Sequence, residues 1–157
     1  MVPPDWPEVR RIFEQGIATQ NATFETAAPD WPEWDADHLP AFRLVARLGG
    51  KVVGWVALSP VSGRDVYRGV AEVSIYVDEH YRGREIGRAL LNAVVEQSEA
   101  GGIWTIQGSV FPENAASLEL LESVGFRAVG VRERIGQMGG RWRDTVLMER
   151  RSDVAGS

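Results

Sequence analysis

Between Ala71 and Gln97 the sequence AEVSIYVDEHYRGREIGRALLNAVVEQ changes its hydrophobic period from two to nearly four across a basic, glycine-containing turn. That change commits the chain to a strand followed directly by a helix that packs on a sheet. Ala71, Val73, Ile75 and Val77 fall on one strand face, with Val70, Glu72, Ser74 and Tyr76 on the other. Ile86, Ala89, Leu90, Ala93 and Val94 recur at helical spacing and predict the buried stripe of the helix. Arg82, Gly83, Arg84 and Gly87 lie between strand and helix. A turn that feeds unpaired N–H groups into a helix start stabilises an anion, and Arg82, Arg84 and Arg88 add to that field. The same residues also fit an ordinary solvated loop. Neither the GxGxxG spacing of a dinucleotide fold nor the GK[ST] ending of a P-loop is present.

At 157 residues and 44% hydrophobic, the chain is expected to form one domain over residues 1–151, with a frayed tail over residues 152–157. Seventeen basic residues against 22 acidic ones, net −5, argue against nucleic acid or an anionic membrane as the main partner. The absence of cysteine excludes disulfides, thiolate metal sites and a cysteine nucleophile. His38 and His80 have no ligand-spaced partner, so no metal is expected. No apolar run approaches membrane length and MVPPDWPEVRR lacks a signal-peptide core, which makes the cytoplasm the expected location.

In chain order, Asp5 and Glu8 have the spacing of a capping box for a helix marked by Val9, Ile12, Phe13 and Ile17. Asn21 to Thr26 reads as a loop around Phe24, and Trp31 to Leu39 as a short second helix. Phe42 to Leu48 and Lys51 to Ser59, joined by Gly49-Gly50, predict a hairpin. Ile103 to Val110 reads as a strand, and a helix runs from Asn114 or Ala115 to Val124. Phe126 to Arg134 and Thr145 to Arg151 read as strands around a glycine-rich loop, Gly136 to Gly140. The order of elements predicts a mixed α/β layer rather than regular βαβ repeats.

Several of these segments resemble the GCN5-related N-acetyltransferases, and more narrowly their phosphinothricin N-acetyltransferase branch. The family's [RQ]xxGx[GA] loop falls on Arg82 to Gly87, followed by RALL, and its helix-opening asparagine and closing GF fall on Asn114 and Gly125-Phe126. ATFET at Ala22 to Thr26, EVSIYV at Glu72 to Val77 and GRWRD at Gly140 to Asp144 carry the branch resemblance. It implies a mixed, mostly antiparallel twisted sheet flanked by helices, with central strands splayed at a bulge into an acetyl-CoA cleft. It also implies direct transfer of acetyl to the α-amine of a glutamate-like amino acid such as phosphinothricin, methionine sulfoximine or arsinothricin, in a homodimer.

Carried over residue by residue, the resemblance makes Glu72 the general base, acting through water, and the Val77 N–H the oxyanion donor. Ile75, Tyr76 and Val77 would pair with the pantetheine arm, and Asn114 would bond it as well. Arg82, Gly83, Arg84, Glu85, Ile86, Gly87 and Arg88 would hold the pyrophosphate. Phe24, Thr26, Arg64 and Tyr67 would bind the acceptor. Four positions depart from the family pattern. Glu85 replaces the first loop glycine, Leu121 stands where many relatives carry a tyrosine or histidine, Ser62 replaces a lysine of some members, and only Met1 to Pro4 stand where a first strand is expected. Acetylation of a polyamine, an aminoglycoside or a protein N-terminus, and non-catalytic acyl-CoA binding, are the competing expectations.

Overall fold

A computed structural model describes all residues from Met1 to Ser157. Two helices, α1 (Trp6–Ala18) and α2 (Trp31–Asp37), precede strands β1 (Arg43–Leu48), β2 (Lys51–Pro60) and β3 (Val70–Val77). Helix α3 (Ile86–Ala100), β4 (Thr105–Val110), α4 (Ala115–Ser123), β5 (Arg127–Met138) and β6 (Arg141–Arg151) follow. The six strands form one sheet in the order β1-β2-β3-β4-β6-β5. Every neighbouring pair is antiparallel except β3 and β4, which are parallel and joined through α3.

The two sheet faces bury different chemistry. On one, α3 and α4 cover Val56, Leu58, Ala71, Ile106 and Met148 with Leu90, Leu91, Val94 and Leu121, an aliphatic layer. On the other, α1 and α2 bring Trp6, Phe13 and Trp34 against Trp55 and Tyr76, a layer of interlocked rings. Burying one such large side chain contributes about 1.5–3 kcal/mol. Arg43 closes the aromatic layer from outside: its guanidinium lies over the Trp31 and Trp34 rings and bonds Asp35 and the carbonyls of Leu39 and His38. His38 stacks on Trp34 at 4.0 Å, where burial lowers its pKa.

Several local details differ from the sequence reading. Asp5 and Glu8 do not cap α1. Asp5 is buried, accepts the Val2 N–H and pairs with Arg47, while Glu8 accepts the Val52 N–H at 2.7 Å. Both carboxylates tie the helix start to the β1–β2 hairpin, so long-range partners win over the local cap. A single 3-10 turn, Pro3–Asp5, occupies the place of a first strand. The buried stripe of α3 is rotated: Leu91, Val95 and Ser98 are buried, and Ala89 and Ala93 are exposed. The last two strands are longer than expected and turn at Gly139-Gly140, both at positive φ. Residues 152–157 do not fray freely. Ser152 and Ala155 are buried, the Ser152 N–H bonds the Trp104 carbonyl, and Arg151 donates to the carbonyls of Ser152, Ala155 and Gly156.

Candidate active site in the splayed sheet

Strands β3 and β4 pair only at Val70↔Thr105, Ala71↔Ile106 and Glu72↔Gln107, after which they part. Beyond that point Gly108, Ser109 and Val110 pair with β6 alone. The sheet thus opens into a cleft of about 960 Å³ with Glu72 at its vertex. No register shift interrupts β2–β3, so the strands diverge without the expected bulge.

Backbone alternation decides which β3 groups the cleft receives. The Gly69 carbonyl accepts from Thr105 on β4, whereas the Asp78 N–H donates to Val53 on β2. Odd residues, including Ile75 and Val77, therefore turn their backbone groups to the gap, and even ones, including Tyr76, turn theirs to β2. Tyr76 pairs its backbone with Trp55, and its ring packs with the α1-side aromatics. The ring lies so close to α1 that a Cβ on Gly16 would come within 2.5 Å of it. Burial pushes the Tyr76 hydroxyl up to about 12, with neighbouring Thr23 opposing and Glu25 reinforcing the shift, so the group stays neutral.

Past Val77 the chain is anchored before it enters the basic turn. Asp78 is fully buried, accepts the His80 N–H at 2.9 Å and bonds Arg11 at 2.9 Å. Burial alone would raise its pKa, but these partners outweigh burial and hold it below the usual carboxylate value. Gly83 at φ +76° and Glu85 at φ +60° then swing the backbone into α3. No side chain caps α3, so its first N–H groups are open to a ligand. Glu85 adopts the left-handed conformation that glycine favours, at a cost of about 1–2 kcal/mol. Its carboxylate pairs with Arg88 at 3.4 Å, an exposed pair of little energetic weight. Arg84 lies over the Tyr81 ring.

The opposite wall is built from distant segments. The loop after α1 brings Asn21, Ala22, Thr23, Phe24 and Glu25 to the cleft, and Phe24 meets the Phe111 ring edge-on at 4.9 Å. Between Arg132 and Gly136 strand β5 carries two extra residues relative to β6, and the Asp144 carboxylate accepts the Arg134 N–H at this bulge. Ile135 from the bulge, Arg132 at its start and Thr145, paired with Arg132 on β6, line the cleft.

Of the residues singled out from sequence, Glu72, Ile75, Tyr76, Val77, Arg82, Gly83, Glu85, Ile86, Gly87, Arg88, Asn114 and Phe24 line one cleft. Thr26, Arg64, Tyr67 and Arg84 do not. Arg64 and Tyr67 stack on each other at 5.5 Å in the exposed β2–β3 loop, beyond the Glu72 end of the cleft. Asn114 caps α4 through Ser117 and donates its amide to the Asn21 carbonyl, leaving one N–H and one lone pair uncommitted. Trp142 is exposed. Leu121 is buried in the aliphatic layer at the cleft floor, and no acid replaces it there. Sequence reasoning missed Arg132, Ile135 and Thr145; the only trace of their role was Asp144, whose carboxylate organises the bulge.

A divided sheet of this kind, with an open helix N-terminus at one end and a carboxylate at the vertex, is the framework of an acyl-transfer enzyme. The acetyltransferase (GNAT) family model matches residues 6–126, and the chain belongs to that family. A phosphinothricin N-acetyltransferase of Alcaligenes faecalis is 34% identical over 93% of this chain and 77% of its own. A GNAT superfamily phosphinothricin acetyltransferase from Sinorhizobium meliloti, solved in complex with AcCoA, superposes with TM-score 0.87 at 27% identity, covering 99% of this chain and 88% of that one. A ribosomal-protein-alanine N-acetyltransferase from Brucella melitensis superposes with TM-score 0.86 at 28% identity, covering 97% of each chain.

Proposed function

We propose that this protein transfers an acetyl group from acetyl-CoA to the α-amine of a small glutamate-like amino acid of the phosphinothricin or methionine sulfoximine type. The observation that carries this reading is the position of Glu72, at the vertex where β3 and β4 part, between an anion-seeking helix start and a separate acceptor wall. The residues fit the co-substrate: an open, uncapped α3 N-terminus flanked by Arg82 and Arg88 suits a pyrophosphate, and the unpaired edge of β3 suits an amide-containing arm. When bound, acetyl-CoA supplies an activated acyl group as a thioester.

The chain's own residues would do the rest. Glu72, half-buried, takes the proton that the ammonium must lose, through water, because only a neutral amine is nucleophilic. The Val77 N–H, turned to the gap, is the donor for negative charge developing on the attacked carbonyl oxygen. The Tyr76 hydroxyl, held protonated by burial, is not available as a second base and instead shapes the acceptor side. Arg132 is the cleft-lining guanidinium outside the Arg82–Arg88 turn and takes over the anion-binding role expected of Arg64. Val129, Val131, Ile135 and Trp142, exposed on the β5–β6 hairpin, support a homodimer formed through that edge. No helix is long and apolar enough to cross a membrane, and we take the cytoplasm as the site of action.

One observation favours a second acceptor. Arg64 and Tyr67 lie outside the cleft and the acceptor end is open, an arrangement that also admits a protein N-terminus. CoA release, read with a thiol-reactive dye against this cysteine-free chain, decides between them. Phosphinothricin, methionine sulfoximine, glutamate, spermidine and an N-terminal alanyl peptide would be offered with acetyl-CoA. Saturable turnover confined to the anionic amino acids is expected; turnover on the peptide alone would transfer the proposal to protein N-termini.

A further inference from the structure

We infer that Arg143 is the positioning residue of the acceptor wall, fastening the loop that carries Thr23 and Phe24 from across the sheet. The kinetic part of this inference rests on the acetyltransferase reading above; the geometric part does not. The Arg143 side chain is 17% exposed, and its guanidinium carbon sits 3.7 Å from the centroid of the Phe111 ring. From that platform one terminal nitrogen donates to the Gln20 carbonyl at 2.5 Å and lies 3.4 Å from the Met138 sulfur. The other donates to the Asn21 side-chain oxygen at 3.2 Å and to Glu113 at 3.3 Å. A planar fork stacked on a ring and bonding on two sides is a use of arginine that lysine does not reproduce.

The loop needs such a fastener. Gln20 leaves α1 at φ +56°, a conformation that a non-glycine residue keeps only when its surroundings hold it. Asn114 donates to the Asn21 carbonyl at 3.1 Å, and the Phe24 ring fills the space beside Gly136, where a Cβ would lie 2.8 Å away. The Glu113 pair does not account for the arrangement, because that carboxylate is 66% exposed and an exposed ion pair has little weight. Arg143 and Asp144 thus act from two consecutive positions of β6: Asp144 fixes the bulge that follows Arg132 and bears Ile135, and Arg143 fixes the loop after α1. The RD of GRWRD is the wiring of the acceptor wall.

Hydrogen exchange and steady-state kinetics on Arg143→Met and Arg143→Lys test this. Exchange of the amides of residues 20–26 should accelerate at least tenfold in Arg143→Met and less in Arg143→Lys, with β2, β3 and α3 unchanged. With phosphinothricin as acceptor, its KM should rise about tenfold while the acetyl-CoA KM stays within twofold. Acceleration spread over the whole sheet, unchanged exchange at residues 20–26, or parallel rises in both KM values would each overturn the inference. If the wild type turns over none of the offered amines, the acceptor assignment fails, and the exchange result alone decides the role of Arg143.

Discussion

The two walls of the cleft are made in opposite ways. The wall from Glu72 to Arg88 comes from one continuous stretch and presents backbone: the open edge of β3, a left-handed turn and uncapped helix N–H groups. The facing wall comes from the loop after α1, the start of α4 and the β5–β6 hairpin, held together by side chains such as Arg143 and Asn114 that reach residues about a hundred positions away. A site that binds through backbone can be written in a short motif. A site that binds through packed side chains is distributed along the chain.

Breaking the first wall's buried side-chain anchor should have the largest effect on stability. Asp78→Ala removes a buried acceptor of Arg11 and of the His80 N–H and should cost roughly 2–4 kcal/mol in urea unfolding. The pKa of Asp78 is lowered on folding, so its contribution is fully present above the unfolded value near 3.9. It is lost as pH falls through the lower folded value. Asp78→Asn should therefore flatten the acid limb of stability against pH below about 4. An unchanged limb would mean that the anchor carries no weight.

Gly16→Ala probes the seam between the walls, since its Cβ would meet the Tyr76 ring at 2.5 Å. Overpacking of this kind costs about 1–3 kcal/mol, and calorimetry should show it as a lowered Tm. Glu85→Gly sharpens the contrast in the other direction. Relief of left-handed strain should raise stability by about 1–2 kcal/mol, and removal of a carboxylate from the α3 N-terminus should tighten acetyl-CoA binding several-fold by titration. A Kd that does not fall would show that the turn is not limited by its glutamate. The smallest effect is expected from Leu121→Tyr. An added hydroxyl at the cleft floor that can protonate the departing thiolate should raise turnover a few-fold at pH values below the tyrosine pKa of about 10. A rate unaltered there would dismiss the missing acid as a constraint.

The same division explains what was legible in the sequence. The strand, turn and helix from Ala71 to Ala100 follow from periodicity, and the turn's anion-seeking character follows from its glycines and arginines. The resemblance singled out Glu72 and Val77 as candidates, and the register of β3 separates Ile75 and Val77, whose backbone faces the gap, from Tyr76, a distinction that needs knowledge of which neighbour lies on which side. Asp5 and Glu8 have capping spacing, yet partners some forty residues away on β1 and β2 claim them. Ile135 lies in the two-residue bulge of β5 opposite Asp144, with Arg132 at the last regular pair before it, and no hydrophobic pattern in that strand announces their place in the cleft. Arg64 and Tyr67, carried over by their position in the branch, stack on each other in the exposed loop before β3, outside the cleft lining.

The most direct test of the account is the kcat of Glu72→Gln with phosphinothricin, set beside its acetyl-CoA Kd. The vertex carboxylate is assigned proton removal alone, so kcat should fall by about 10²- to 10⁴-fold while acetyl-CoA binding stays within twofold of wild type. A variant that keeps its kcat, or that loses acetyl-CoA affinity in step with it, would contradict the assignment of Glu72 as the base at the point where the sheet divides.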